Sequence, residues 1–239
     1  MQRPVKPPVG PTFWRSFQNQ PPVRPWWGWT RPAILPGAEG FVAPPPPEVG
    51  GSAFESALDE VRELAGGVDD AWLETVRFWA DGKGTATPPG HWNEILHGIL
   101  SKERATDILA LKILSLLNIA MMDAGIVCWR TKYTYWTPRP RQMDHRIQAH
   151  LVEPNFPSYT SGHSAFSNAA AEIISSFLPD RADVVRELAG EASLSRLYAG
   201  IHYRFDIEEG ARQGRRVGRL VARMRGLDGP LLPHVGRSG

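Results

Sequence analysis

Cysteine is almost missing from this chain: Cys128 is the only one in 239 residues. One cysteine excludes an intramolecular disulfide framework and any cysteine-rich zinc site. An excess of one sign of charge is missing too: 27 Lys and Arg face 25 Asp and Glu, and a net charge of only +2 gives no electrostatic reason to expect a nucleic-acid partner. Long apolar runs are also lacking. The longest uncharged one, Ile113 to Met122, stops between Lys112 and Asp123, short of the ~18–20 residues that span a bilayer, so no transmembrane span is expected. Met1 opens into Pro- and Arg-containing sequence rather than an apolar signal segment. The chain therefore reads as soluble, either cytoplasmic or the mature part of an exported protein.

What is present fits a folded domain: 42% hydrophobic and 22% charged residues argue against wholesale disorder. Thirteen of the 22 prolines fall in residues 1–50, which excludes a long helix there. The same stretch carries Phe13, Trp14, Trp26, Trp27 and Trp29, so residues 1–50 are expected to be an extended arm laid on the domain by its aromatics. Residues 51–239 follow as a helical catalytic domain. Ser52 with Glu55 suggests a capping box before Leu58, Val61, Leu64 and Ala65, and Asp69 or Asp70 can cap a second helix. Gly82 to Pro89 reads as a loop, and a third helix as Trp92 to Ser101. A long helix over 105–130 is apolar around most of its circumference, the mark of a central buried helix. Helices over 163–178, 180–199 and 206–226 complete an all-α bundle, with no sustained strand alternation and no repeat.

Three stretches hold unusual polar residues. Lys132 and Arg139-Pro140 form the first, Ser161-Gly162-His163 the second, and Ser195-Arg196 with His202 and Asp206 the third. Lys132, Arg139 and Arg196 would repel one another in a dry site unless an anion lay between them. Ser161-Gly162-His163 precedes an apolar helical run, and a helix N-terminus offers free amides and a positive dipole end to an oxyanion. One histidine can attack or coordinate the central atom while the other moves protons. These residue types point to a site for phosphate or a phosphate-like ion.

The pattern K-x6-R-P, then S-G-H, then S-R-x5-H-x3-D resembles the signature shared by type 2 phosphatidic acid phosphatases, soluble bacterial acid phosphatases and vanadium-dependent haloperoxidases. The resemblance implies their mostly helical bundle. It assigns Lys132, Arg139, Arg196, Ser161 and Gly162 to the equatorial oxygens of vanadate, with phosphate taking the same place, and His163 to acid–base work. His202 becomes the apical vanadium ligand or the phosphoryl nucleophile, with Asp206 orienting its ring. Pro157-Ser158-Tyr159-Thr160-Ser161-Gly162-His163 favours the haloperoxidase branch. So does a likeness of Phe78-Trp-Ala-Asp-Gly, Pro88-Pro-Gly-His-Trp-Asn and Gly214-Arg-Arg-Val-Gly-Arg to soluble bacterial haloperoxidase-like proteins. Thr160 and Pro138 depart from the family pattern, where proline and tryptophan are usual.

The leading expectation is a vanadate-dependent enzyme oxidising halide with hydrogen peroxide. A soluble phosphatase acting on phosphoesters through a phosphohistidine is the alternative, and a non-catalytic anion- or partner-binding protein the third. A homo-oligomer stays open. His91, His97, His145, His150 and His234 match no motif and are expected in structural or surface roles. Asp123, in the buried-looking helix, is either a partner of a site arginine or His163, or an ordinary buried hydrogen-bonded acid. Tyr133, Tyr135 and Trp136 either line the pocket mouth or pack. The arginines from Arg212 to Arg225 make either a membrane-facing or a solvated basic face.

Overall fold

Eight α-helices and no strand make up the described residues, 21–226, of the computed structural model; the expectations for Phe13, Trp14 and His234 lie outside the described residues. The helices are α1 (Ser52–Gly66), α2 (Asp70–Phe78), α3 (Thr87–Lys102), α4 (Asp107–Tyr135), the single turn α5 (Pro140–Met143), α6 (Gly162–Phe177), α7 (Ala182–Tyr198) and α8 (Arg204–Ala222). The expected all-α bundle is what forms.

Local signals shift by a few residues. The Ser52–Glu55 capping box does not form: Gly51 is the N-cap, without a side-chain bond, and Ser52 is already helical. Asp69 caps α2, accepting the Trp72 N–H at 2.8 Å. The third helix begins at Thr87, not Trp92, because Pro88 and Pro89 sit in its first turn, where their missing N–H groups leave no intrahelical bond unmade. The long helix starts at the Thr106 N-cap and runs on through Lys132, ending where Trp136 turns left-handed at φ 54°.

α4 and α6 form the centre. By length and composition α4 could cross a membrane, yet more than half of its most apolar window is buried inside the protein. α8 presses directly on α6 through Gly210, Gly214 and Gly218. A Cβ at Gly214 would lie 2.3 Å from the Ala165 carbonyl oxygen, and one at Gly218 2.8 Å from that of Ala169, so a side chain at either would part the helices. Across this seam Ala165, Ala169, Val217 and Val221 are fully buried. Each large apolar side chain buried this way contributes about 1.5–3 kcal/mol.

Residues 21–50 lie along α4 in an extended course broken by two 3-10 turns, Pro25–Trp29 and Glu39–Phe41. Trp27 meets Trp129 edge-on at 4.9 Å. Asp123 accepts the N–H groups of Ala33, Ile34 and Leu35 at 2.7, 2.9 and 3.1 Å. Asp123 is thus the buried hydrogen-bonded acid, anchoring the arm and not pairing with a site arginine or His163. Tyr133 and Tyr135 likewise donate to arm carbonyls, Val23 and Ala43, while Trp136 is buried beside Tyr133. Tyr133 and Tyr135 thus pack the arm. On α8, Arg219 pairs with Glu172, Arg215 donates to Asn168, and Arg216 covers the Phe41 ring at 4.3 Å.

Candidate active site

The last turn of α4 delivers Lys132 into the interior, with no exposed surface. Its Nζ donates to the carbonyls of Pro157 and Ser158 at 2.8 and 2.9 Å, leaving one N–H of three uncommitted. Trp136 then ends the helix, and Arg139 follows as the N-cap of α5. Arg139 is also fully buried. Its Nε donates to the Phe156 carbonyl at 3.2 Å, and Nη1 to the Ile201 carbonyl at 2.7 Å and His202 Nε2 at 3.1 Å. Its Nη2 is buried without a partner. Arg196, on α7 and 1% exposed, donates from Nε to Ser195 Oγ and from Nη2 to the Val76 carbonyl.

Ser161 is the N-cap of α6: its Oγ accepts the Ser164 N–H at 3.3 Å, and its own N–H donates to the Asp206 carbonyl. His163 lies in the first turn. Its ring hydrogen-bonds the Trp79 carbonyl, while Nε2 is buried and unpartnered. A Cβ on Gly162 would meet only Phe166 and Trp129, at ordinary contact distances of 3.6 and 3.7 Å. Nothing in the chain itself requires glycine there.

His202 stands between α7 and α8, just after Gly200 at φ +72°, where a Cβ would strike the Gln148 carbonyl. Its Nδ1 meets Asp206 Oδ2 at 2.8 Å. Asp206 sits in the first turn of α8 and also accepts the Tyr203 N–H and the Ser158 hydroxyl on Oδ2. The carboxylate accepts the Nδ1–H hydrogen bond, so the proton stays on Nδ1 and Nε2 presents its lone pair to Arg139.

Burial pushes every charge here toward neutrality. It lowers Lys132 to about 7, with Arg139 adding to the shift and Asp206 opposing it. Burial also holds Arg139 and Arg196 below their ordinary values. His202 is kept neutral by burial and then by the fields of Arg139, Lys132, His163 and Arg196, which converge on it. His163 is likewise lowered by burial first and Arg196 second, two causes that its place at a helix N-terminus does not announce. Asp206 is raised to about 6 by burial, against its hydrogen bonds from Ser158 and Tyr203.

All eight site residues predicted from the motifs thus meet in one place. Four contributors lie outside those assignments: Ser158, the Trp79 carbonyl, Asp81 and His91. Asp81 supplies the carboxylate that favours the Arg196 charge. His91, expected to be structural, is buried and binds Asp81. Both stand in stretches whose likeness was visible, but only the fold joins them to Arg196.

The donor set suits an oxyanion. Among the described residues no three His, Cys, Asp or Glu side chains converge as a cation cage. Instead, three buried cations, a helix N-terminus and an unpartnered donor, Arg139 Nη2, lie around His202, while the unpartnered Nε2 of the neutral His163 is an acceptor ready for a proton. Vanadate or phosphate fits these residues.

A profile of the PAP2 superfamily matches residues 112–229, a stretch that includes all three motifs. The vanadium chloroperoxidase of Curvularia inaequalis is 25% identical, over 63% of this chain and 32% of its own length. A bacterial vanadium-dependent iodoperoxidase superposes with TM-score 0.78 at 31% identity, over 87% of this chain and 60% of that one. The chain therefore spans about a third of the first relative and three-fifths of the second. The transmembrane PAP2-type phosphatidylglycerolphosphate phosphatase of Bacillus subtilis superposes with TM-score 0.51 at 17% identity, over 74% and 88% of the two chains, a likeness of fold.

Proposed function

Because the chain belongs to the PAP2 superfamily, which includes haloperoxidases and phosphatases, we propose that it is a vanadate-dependent haloperoxidase-like enzyme that oxidises halide with hydrogen peroxide. The observation that carries this reading is the closed cation cage around a neutral histidine. Lys132, Arg139, Ser161 and Arg196 are all at most 1% exposed and His202 3%, which suits a small resident oxyanion better than a bulky ester that must enter and leave. The 31% identity to the iodoperoxidase points the same way.

In this reading Lys132, Arg139 Nη2, Arg196, Ser161 Oγ and the Gly162 N–H would hold the oxygens of the anion, and His202 Nε2 would bind its central atom. When bound, vanadate supplies a Lewis-acidic centre that activates hydrogen peroxide toward halide. Asp206 fixes the His202 tautomer by holding the Nδ1 proton. His163, neutral in this site, would take a proton from peroxide at Nε2 or return one to the departing oxygen.

The phosphatase reading uses the same cage. His202 Nε2 would attack phosphorus, the cations would stabilise the transferring group, and His163 would protonate the leaving alcohol. A non-catalytic binder would leave the paired placement of His163 and His202 without use. We read α4 as a core helix and not a membrane span, since the arm and α6 cover it, and no nucleic-acid partner is proposed.

A paired assay separates the branches. Loaded with vanadate and given peroxide, the protein should halogenate monochlorodimedone with bromide or iodide and cleave a generic phosphomonoester only weakly. Strong vanadate-inhibited phosphatase turnover without halogenation would transfer the assignment to the alternative.

A further inference from the structure

The loop between α2 and α3 reaches the site twice. Its first residue, Trp79, places its carbonyl on the His163 ring, and two residues later Asp81 places its carboxylate in the field of Arg196. One is a permanent dipole on the proton-transferring histidine, the other a counter-charge on an anion-binding guanidinium. What fixes this loop therefore tunes both.

The loop is held from α3 by one side chain. His91 Nδ1 lies 2.9 Å from Asp81 Oδ2, and both side chains are close to nine-tenths buried. Because a carboxylate accepts, Nδ1 carries the proton. The His91 ring is itself fixed, stacked on Trp79 with centroids 4.6 Å apart and 26° between planes, and set edge-on to Phe78 at 4.7 Å. Asp81 takes a backbone φ of +36°, which a non-glycine residue holds only where its surroundings enforce it. The His91 bond is such an enforcement.

We infer that His91 is a positioning residue of the oxyanion site, acting through Asp81: its Nδ1–H fixes the Asp81 carboxylate in the place from which it acts on Arg196. The inference rests on the oxyanion reading of the site and deepens it. Without the Nδ1–H donor the carboxylate is free to swing away, and Arg196 loses the nearby opposite charge that favours its charged form. Supporting partners of this kind typically carry a roughly 10- to 100-fold effect on affinity.

Two substitutions divide the bond from the packing. His91→Phe keeps an aromatic ring for Trp79 and Phe78 but has no donor. His91→Asn puts an amide N–H where Nδ1–H was and loses the ring. The readout is calorimetric binding of orthovanadate and, separately, inorganic phosphate, with thermal melting to establish folding. His91→Phe should weaken both anions about tenfold, and His91→Asn should stay within about threefold of wild type. In an Asp81→Asn background, His91→Phe should add less than about twofold, since the bond it removes is already compromised. The reverse order, with His91→Phe binding normally and His91→Asn failing, would assign His91 to packing and overturn the inference. So would additive losses in the double variant. Should His91→Phe not fold, His91→Asn against Asp81→Asn decides the matter: equal losses overturn the inference, and loss in Asp81→Asn alone supports it. A wild-type protein that binds neither anion would sink the oxyanion reading itself, an outcome distinct from normal wild-type binding with an indifferent His91→Phe.

Discussion

Anion binding should take up a proton at Lys132, and the pH dependence follows from the structure. In the anion-free site burial lowers the ammonium to about 7, with Arg139 adding to the shift. An oxyanion beside Nζ favours the charged form, so the bound state keeps the proton to near the ordinary lysine value, about 10.4. Below pH 7 Lys132 is charged with or without the anion and affinity is insensitive to it. Above pH 7 the empty site loses the proton, and binding must restore it. Each further pH unit then costs about 1.36 kcal/mol, tenfold in Kd, so affinity should fall roughly 100-fold between pH 7 and pH 9. The guanidinium groups of Arg139 and Arg196, although lowered by burial, keep their protons across this window because their charge is delocalised. Sulfate is the suitable probe, since it has no proton of its own to lose there. Calorimetry at pH 6, 7, 8 and 9 should give a Kd level to pH 7 and then rising about tenfold per unit, with about one proton taken up per sulfate in buffers of different ionisation heat. Lys132→Met should bind weakly and without that slope. A wild-type Kd level from pH 6 to 9 with one sulfate bound per chain would refute the reasoning, as would an unchanged slope in Lys132→Met.

Gly162→Ala should leave thermal stability unchanged or slightly raised, because its methyl has room in the empty protein. It should nevertheless weaken vanadate at least ~10-fold, where the backbone must approach the anion closely; equal affinity in calorimetry would remove the glycine from the cradle. Asp123→Ala leaves three arm N–H groups without their acceptor, so it should cost about 3 kcal/mol and lower Tm by roughly 6–12 °C, read by differential scanning calorimetry. His163→Ala should retain measurable vanadate while losing about 10²- to 10⁴-fold in turnover, whereas His202→Ala should release vanadate; equal loss of affinity in both would contradict the division of roles.

The motif residues were legible because their spacing is short and fixed. His202 and Asp206 are four apart, and Asp206 in the first turn of α8 reaches back to Nδ1 across that interval. The helix order was legible too, since an apolar run such as 113–122 has few other ways to be buried. Helix starts were less so. Gly51 and Ser52 both make acceptable N-caps, and the choice between them is settled by how residues 48–51 turn, with the Gly51 N–H on the Glu48 carbonyl. Long-range polar partners were not legible at all. The Asp123 bonds join residues about 90 apart in the chain, and an acid amid apolar neighbours announces that it has a partner without saying which. His91 is only ten residues from Asp81, but the Arg196 that makes the pair matter comes from another helix.

The geometry also explains why so costly a site survives. Taking an ion out of water costs several kcal/mol even after relaxation, and three cations are buried here within one another's fields. Asp206 offsets them only in part: it favours the charges of Arg139 and Lys132, but one carboxylate cannot balance three cations, and its Oδ2 is bonded to His202 Nδ1, the Ser158 hydroxyl and the Tyr203 N–H. Its further work is orientation: with Nδ1 tied down, the Nε2 lone pair is turned to Arg139, accepting from Nη1 at 3.1 Å while Nη2 stays unpartnered. The close α6–α8 seam holds these groups where they are, since Ser161–His163 open α6 and Asp206 lies in the first turn of α8. A rigid frame can keep repelling charges together, and only a negative, many-oxygened group relieves them. The cage therefore favours a small oxyanion by charge and by the number of acceptors it offers.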